Sequence, residues 1–259
     1  MVLTANIGNN IIALAVYDSE GKKLVNTSIA SDTKMTADQC AAEILKVFEL
    51  YRLELTEVKG AIISSVVPQL TETVSSAIKH IAGRTPMQIG PGIKTGLNIR
   101  IDDPAELGGD IVSYSVAAVK KYTCPLIIVD MGTAITVSAI DRGETYQGCA
   151  IYPGMNLAFD ALAAGAALLP HIPLLGAEKA IGKNSMDAMR SGLCFGTAAL
   201  IDGLIDKMEA EIGKATVIIT GQYDKGILDN CQREMVYDAG LLTDGLYEIY
   251  VKNTQRKNK

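Results

Sequence analysis

The chain has 259 residues, 48% of them hydrophobic, with a formal net charge of −5 and a pI near 5.2. That length and apolar content suit one large or two medium domains with proper cores. The acidic balance argues against nucleic-acid or anionic-membrane partners, no apolar run approaches the roughly 18–20 residues of a membrane span, and the N-terminus lacks the basic start of a signal peptide.

In chain order, residues 3–18 and 23–30 predict two or three strands around a Ser19-Glu20-Gly21 turn. Thr36-x-x-Gln39 has the form of a capping box, and Cys40, Ile44, Val47, Phe48 and Tyr51 keep helical spacing behind it, so 37–51 is an amphipathic helix. Gly60 opens a short buried strand halted by Pro68, and 70–82 is a helix. The GPGIKTG stretch (90–96) is a breaker-rich loop, after which Pro104 starts a helix running to about Tyr122, weakened by Gly108-Gly109. PLIIVD (125–130) is a buried strand, followed by a glycine turn and further strands to Ile151. Residues 184–212 are mostly helical, 215–220 form a strand, and 239–252 form a closing helix.

Two stretches repeat one layout. TANIGNNIIALAVYDSEGKKL and IVDMGTAITVSAIDRGETY each run apolar strand, glycine turn, apolar strand, Asp, glycine turn. Aligned, Asn6 faces Asp130, Gly8 faces Gly132, Asn9 faces Thr133, and Asp18 falls within one residue of Asp141. The offset implies a duplicated α/β domain, with halves 1–117 and 118–259 and the natural site in the cleft between them.

A turn glycine lets backbone N–H groups approach phosphate oxygens, and a carboxylate at the strand end can hold a cation or its water shell. Asp130, Gly132, Thr133 and Thr136 supply both; taken singly, either hairpin reads better as a buried turn, and taken as a pair they tilt toward a nucleotide cleft. Asp110, after Glu106-Leu-Gly-Gly, is either a general base for a substrate hydroxyl or a helix-start acid favoured by the macrodipole. Ser185 in Ile181-Gly-Lys-Asn-Ser is a ligand or, more conservatively, an N-cap, and Thr220-Gly221 is a turn able to lie against a nucleobase. The scattered, odd set Cys40, Cys124, Cys149, Cys194 and Cys231 predicts reduced thiols in a cytoplasmic protein. His80 and His171 have no partner pattern, which argues against a Ser–His or Cys–His hydrolase and a His-ligated metal.

GPGIKTGLNIR (90–100), ELGGD (106–110), VDMGTAIT (129–136), PG (153–154) and IGKNSMDAMRSG (181–192) occur in the order of the type III pantothenate kinases, and the chain resembles that family over almost its whole length. The resemblance implies two duplicated ribonuclease-H-like domains of the acetate and sugar kinase/actin-like ATPase superfamily around a central cleft, in a cytoplasmic homodimer. It implies ATP-dependent phosphorylation of pantothenate to 4′-phosphopantothenate, the first step toward coenzyme A, with Mg2+ and a monovalent cation, K+ or NH4+. Carried over by position, Asp110 is the base, Gly108 and Gly109 line the substrate, and Asp130 holds the monovalent cation. Thr133 and Gly221 contact ATP, Ser185 contacts substrate, and Asn6, Ile7, Gly8, Asn9 and Asn10 form the first phosphate hairpin.

The departures from the family pattern concentrate at ligand positions. The opening Asp-x-Gly-Asn-Thr reads Asn6-Ile7-Gly8-Asn9-Asn10, the Arg after the base is Ile111, a Tyr is Ile101, and Thr-Gly-Gly is Thr220-Gly221-Gln222. Loss of the Arg removes a cationic fork for the substrate carboxylate, and Asn6 leaves only a weak contact for magnesium–ATP. Three readings follow: a pantothenate kinase, slow or with an altered acid pocket; a pseudokinase with a binding or regulatory role; or a kinase for a different small hydroxylated acceptor.

Overall fold

Both copies of the strand–glycine turn–strand pattern form antiparallel hairpins in the computed structural model, which describes residues 1–173, 176–222 and 225–254. The elements are β1 (Val2–Ile7), β2 (Ile11–Tyr17), β3 (Lys23–Ala30), α1 (Ala37–Leu50), β4 (Gly60–Ser65), α2 (Pro68–Ala82), β5 (Met87–Gln88), β6 (Asn98–Ile99) and α3 (Gly109–Lys121). There follow β7 (Leu126–Met131), β8 (Ala134–Ile140), β9 (Thr145–Pro153), α4 (Met155–Gly165), α5 (Ser185–Ile212), β10 (Thr216–Gly221), α6 (Lys225–Leu228), β11 (Val236–Tyr237) and α7 (Leu241–Thr254). The first unit comprises Met1–Leu97, Asp102–Lys120 and Gly240–Lys259; the second comprises Asn98–Ile101 and Lys121–Ala239. The continuous halves 1–117 and 118–259 expected from sequence differ from this division chiefly because α7 packs on β1, β2 and β4 of the first unit.

In the first unit the sheet order is β3-β2-β1-β4-β5, with β1 antiparallel to β2 and parallel to β4. Leu3, Ala5 and Ile7 of β1 point with Ile12, Leu14 and Ile63 into a core closed by Ile44 and Phe48 of α1 and Leu70, Val74 and Ile78 of α2. The strand period of two then sends Thr4 and Asn6 to the opposite face, where they are also buried. α7 is held to this unit by a stacked Tyr17–Tyr247 pair with ring centroids 4.3 Å apart and by Asp244, which accepts from Tyr17 Oη at 2.6 Å. Lys23 pairs with the same carboxylate at 2.6 Å. At Gly245 the approach to α3 is close enough that an added Cβ would run into the Ser113 carbonyl.

The capping box of Thr36 and Gln39 forms as the sequence predicts. Pro68 does more than stop a strand: it occupies the first turn of α2, where a missing N–H is harmless. The helix expected from Pro104 instead begins at Gly109. Asp103 caps a single 3-10 turn, Pro104–Glu106, by accepting from Ala105 N, and Leu107 then turns extended (φ −72°, ψ 119°).

The second unit repeats the first. Its sheet order is β11-β10-β7-β8-β9-β6, and the first five strands correspond in order and direction to β5-β4-β1-β2-β3. The turns after the second strands match as well: Asp18 Oδ1 accepts from Glu20 N and Lys22 N, and Asp141 Oδ1 accepts from Gly143 N and Thr145 N. Ile127, Val129 and Val137 pack against Phe159 of α4 and Leu193, Ile201 and Ile205 of α5.

Contrary to the sequence expectation, α5 is long and apolar enough to cross a membrane by length and composition, because no charge falls between Arg190 and Asp202. Its buried Met189, Leu193, Cys194 and Ala198 belong to the core of the second unit. Cys40, Cys124, Cys149 and Cys231 are in no disulfide; burial pushes the Cys40 thiol up to about 11 and Cys231 up to about 12, so neither is a reactive thiolate.

Candidate active site

In the first unit, β1 delivers Asn6 to the sheet end and Gly8 closes the turn by donating its N–H to Ile11 O at 3.0 Å. Asn9 and Asn10 are exposed at the hairpin tip, whereas the Ile7 side chain is in the core and its carbonyl accepts from Val66 N at 3.0 Å. Ile7 therefore offers no side chain to a ligand.

The start of α3 comes down onto the same sheet. An added Cβ at Gly109 would lie 2.6 Å from Ser64 Oγ, and one at Gly108 would collide with Asp110 Oδ1. A side chain at either position would have to displace these groups, and the two glycines leave the Asp110 carboxylate at the head of the helix. Asp110 Oδ1 accepts from Ile111 N at 2.8 Å. Burial raises its carboxyl above the ordinary aspartate value, more than the N–H groups of Ile111 and Asp110 pull it down. A carboxylate raised toward neutrality is better matched to taking a hydroxyl proton. Ile111 is buried, its side chain close to Gly108.

In the second unit, Gly132 N donates to Ala134 O at 3.1 Å and leaves Thr133 exposed at the hairpin tip. Gly154 N donates to Thr133 O at 2.9 Å, and a Cβ at Gly154 would strike the carbonyls of Gly132 and Thr133. The α4 N-terminus is thus seated against the hairpin, an arrangement that suits an anion. Gly221 (φ +83°) closes the other side: a Cβ there would lie 2.6 Å from Asp130 Oδ1. Tyr237 Oη donates to Gly221 O at 3.3 Å.

Structure therefore gathers Asn6, Gly8, Gly108, Gly109 and Asp110 in one unit and Asp130, Thr133 and Gly221 in the other. Ile101 ends the 98–101 segment of the second unit. Ser185 is not the N-cap that the conservative reading expected; Asn184 caps α5 by accepting from Asp187 N at 2.9 Å, and Ser185 is exposed in the first turn. Nothing in the sequence marks the closeness of Ser64, which reads as part of a buried strand, to Gly109, or the backbone contact made by Gly154. No group of three or more His, Cys, Asp and Glu able to hold a metal exists among the described residues.

A duplicated sheet, each copy led by a glycine-turned hairpin, is the fold of the actin-like ATPase and sugar kinase class. The chain is similar in fold to the activator of the 2-hydroxyisocaproyl-CoA dehydratase from Clostridium difficile with bound ADPNP (TM-score 0.61, 10% identity, 100% of this chain and 97% of that one). It is likewise similar to a structure reported for a 2-dehydro-3-deoxygalactonokinase from Sinorhizobium meliloti (TM-score 0.55, 13% identity, 97% and 96% covered). The chain belongs to the type III pantothenate kinase family, whose profile matches residues 2–207. Curated type III pantothenate kinases from Exiguobacterium sibiricum (40% identity, 98% of this chain and 100% of the relative) and Moorella thermoacetica (37% identity, 98% and 100%) are similar to it from end to end.

Proposed function

We propose that this protein transfers the γ-phosphoryl group of ATP to the terminal hydroxyl of pantothenate, giving 4′-phosphopantothenate and ADP. The observation that carries the reading is Asp110, retained at the head of α3 and held above the ordinary aspartate range by burial in a chain of this family. Its carboxylate takes the hydroxyl proton as the substrate oxygen bonds to the γ-phosphorus and the bond to the ADP oxygen breaks. Gly108 and Gly109 let substrate approach that carboxylate, with Ile101, Ile111 and Ser185 at the remaining substrate positions. Thr133, Gly221 and the hairpin Asn6–Asn10 meet the nucleotide, and Asp130 holds a monovalent cation, K+ or NH4+. Magnesium bound with ATP would neutralise charge on the phosphates, with Asn6 as a weak contact.

The protein acts in the cytoplasm as a homodimer. Support for the dimer comes from the second unit, where Ile151 (68% exposed), Leu168 (93%) and Ile181 (82%) lie in the open with Leu157, Leu162 and Met186. Sedimentation should give a dimer, and Leu168→Asp with Ile181→Asp should give monomers.

The test of the reaction is ATP-dependent formation of 4′-phosphopantothenate by pure protein with potassium present. No turnover above an Asp110→Ala control would overturn it. Asn6 favours a second reading, a nucleotide-binding pseudokinase, and the same assay decides between the two.

A further inference from the structure

Asn6 and Ser64 are register partners on the parallel strands β1 and β4. Side chains of register partners in parallel strands project from the same face, about 4.8 Å apart. Their neighbours Ala5, Ile7 and Ile63 point into the core on the opposite face. Asn6 is 8% exposed and Ser64 0%. Asn6 Oδ1 and Ser64 Oγ are both buried side-chain atoms without a hydrogen-bond partner. Turning the Asn6 amide over would only exchange an orphan acceptor for an orphan donor.

Two buried orphans side by side are unusual in a folded protein, where such atoms are nearly always paired. The duplicated unit supplies a comparison. There the register partners are Asp130 and Thr220, and Thr220 Oγ1 donates to Asp238 O at 2.8 Å. Ser64 is the counterpart of Thr220 and has no such bond. The ceiling over Ser64 is Gly109, immediately before Asp110 and the positive end of α3. Orphan acceptor, orphan hydroxyl and helix N-terminus therefore converge on one spot at the sheet end.

We infer that Ser64 is a nucleotide-site residue: its hydroxyl and the Asn6 amide oxygen form a neutral oxygen pair that takes hydrogen bonds from the water shell travelling with Mg·ATP. Asn6 Oδ1 can only accept, so its partner must bring a proton, as a water does. Ser64 Oγ adds a second acceptor and can also donate. The pair restores in two neutral contacts part of what one carboxylate would supply. This deepens the proposed reaction and rests on it.

The test is calorimetric titration of Mg·ATP into the full chain without pantothenate, with melting curves of the ligand-free protein. Ser64→Ala should weaken Mg·ATP binding about five- to tenfold and leave the ligand-free melting temperature unchanged or higher, because an orphan hydroxyl is removed. Ser64→Cys, which keeps the shape but bonds weakly, should show the same loss and covers the case in which alanine does not fold. In an Asn6→Asp background, where the carboxylate already supplies the contact, the Ser64→Ala loss should shrink to less than about twofold. Wild-type binding preserved in Ser64→Ala and Ser64→Cys would overturn the inference alone. A lowered ligand-free melting temperature matching the binding loss would overturn it too, by making Ser64 structural. Wild-type protein that binds no Mg·ATP would overturn both this inference and the proposed reaction.

Discussion

Asp110 links catalysis to stability through its raised carboxyl. A raised value means that the folded chain holds the proton more tightly than the unfolded chain. Below the unfolded value, about pH 3.9, both states are protonated and no stability is lost. As pH climbs toward the folded value, the unfolded chain gives up its proton first, stability falls, and it stays lower above that window. Asp110→Asn should therefore melt higher than wild type at neutral pH, with the gap closing below about pH 4, while turnover falls by roughly 10²–10⁴. Melting curves across pH and a coupled assay check both halves. A second residue-scale expectation concerns Asn6: Asn6→Asp should tighten Mg·ATP binding by about tenfold, since charge-assisted contacts are roughly twice as strong as neutral ones. Sequence alone singles out Asp110 and Asn6 as candidates because each stands in a recognisable local motif. Ser64 stayed hidden because IISSVV reads as a buried strand, and only register shows that its hydroxyl stands beside Asn6.

The two hairpin turns that end at Lys22 and Thr145 show how an element can be duplicated while its residues drift. Both are built on an aspartate that accepts from the N–H groups two and four residues on. The fourth residue of each is left-handed: Gly21 (φ 86°) in the first copy and Glu144 (φ 58°) in the second. A side chain in that conformation costs about 1–2 kcal/mol, partly offset by the greater freedom of glycine in the unfolded chain. Glu144→Gly should then stabilise by about 0.5 kcal/mol, whereas Gly21→Ala should destabilise by about 1–2 kcal/mol; urea titration resolves both. Elements with a strong period, such as α1 and both hairpins, are legible in the sequence, and α5 is legible from its length and its helix-forming composition. The two-residue strands β5, β6 and β11 are not, because they are too short to show any alternation and exist only by pairing with a longer neighbour. The start of α3 was misread for a related reason: Pro104 opens a helical turn in either case, and the extended Leu107 that ends it leaves no mark in composition.

For the whole molecule, the internal repeat conveyed the doubled architecture, since Asn6 and Asp130 do occupy equivalent strands in sheets of the same order. Repetition could not convey that the closing helix joins the earlier unit, because the pairing of Tyr17 with Tyr247 and Asp244 spans most of the chain. Gly245→Ala tests how closely that helix is fitted. With the added carbon driven into the Ser113 carbonyl, the loss should reach about 3 kcal/mol, read as a lower urea midpoint. This threading also bears on how the protein is made. Domains commonly fold as units in the order of synthesis, N-terminal first, at about 5–20 residues per second. β1 is made long before α7, so the face that carries Thr4 and Asn6, part of which lies under the start of α3, is not fully covered until α7 is made. The later unit, whose segment 121–239 is complete before then, is the one positioned to fold first.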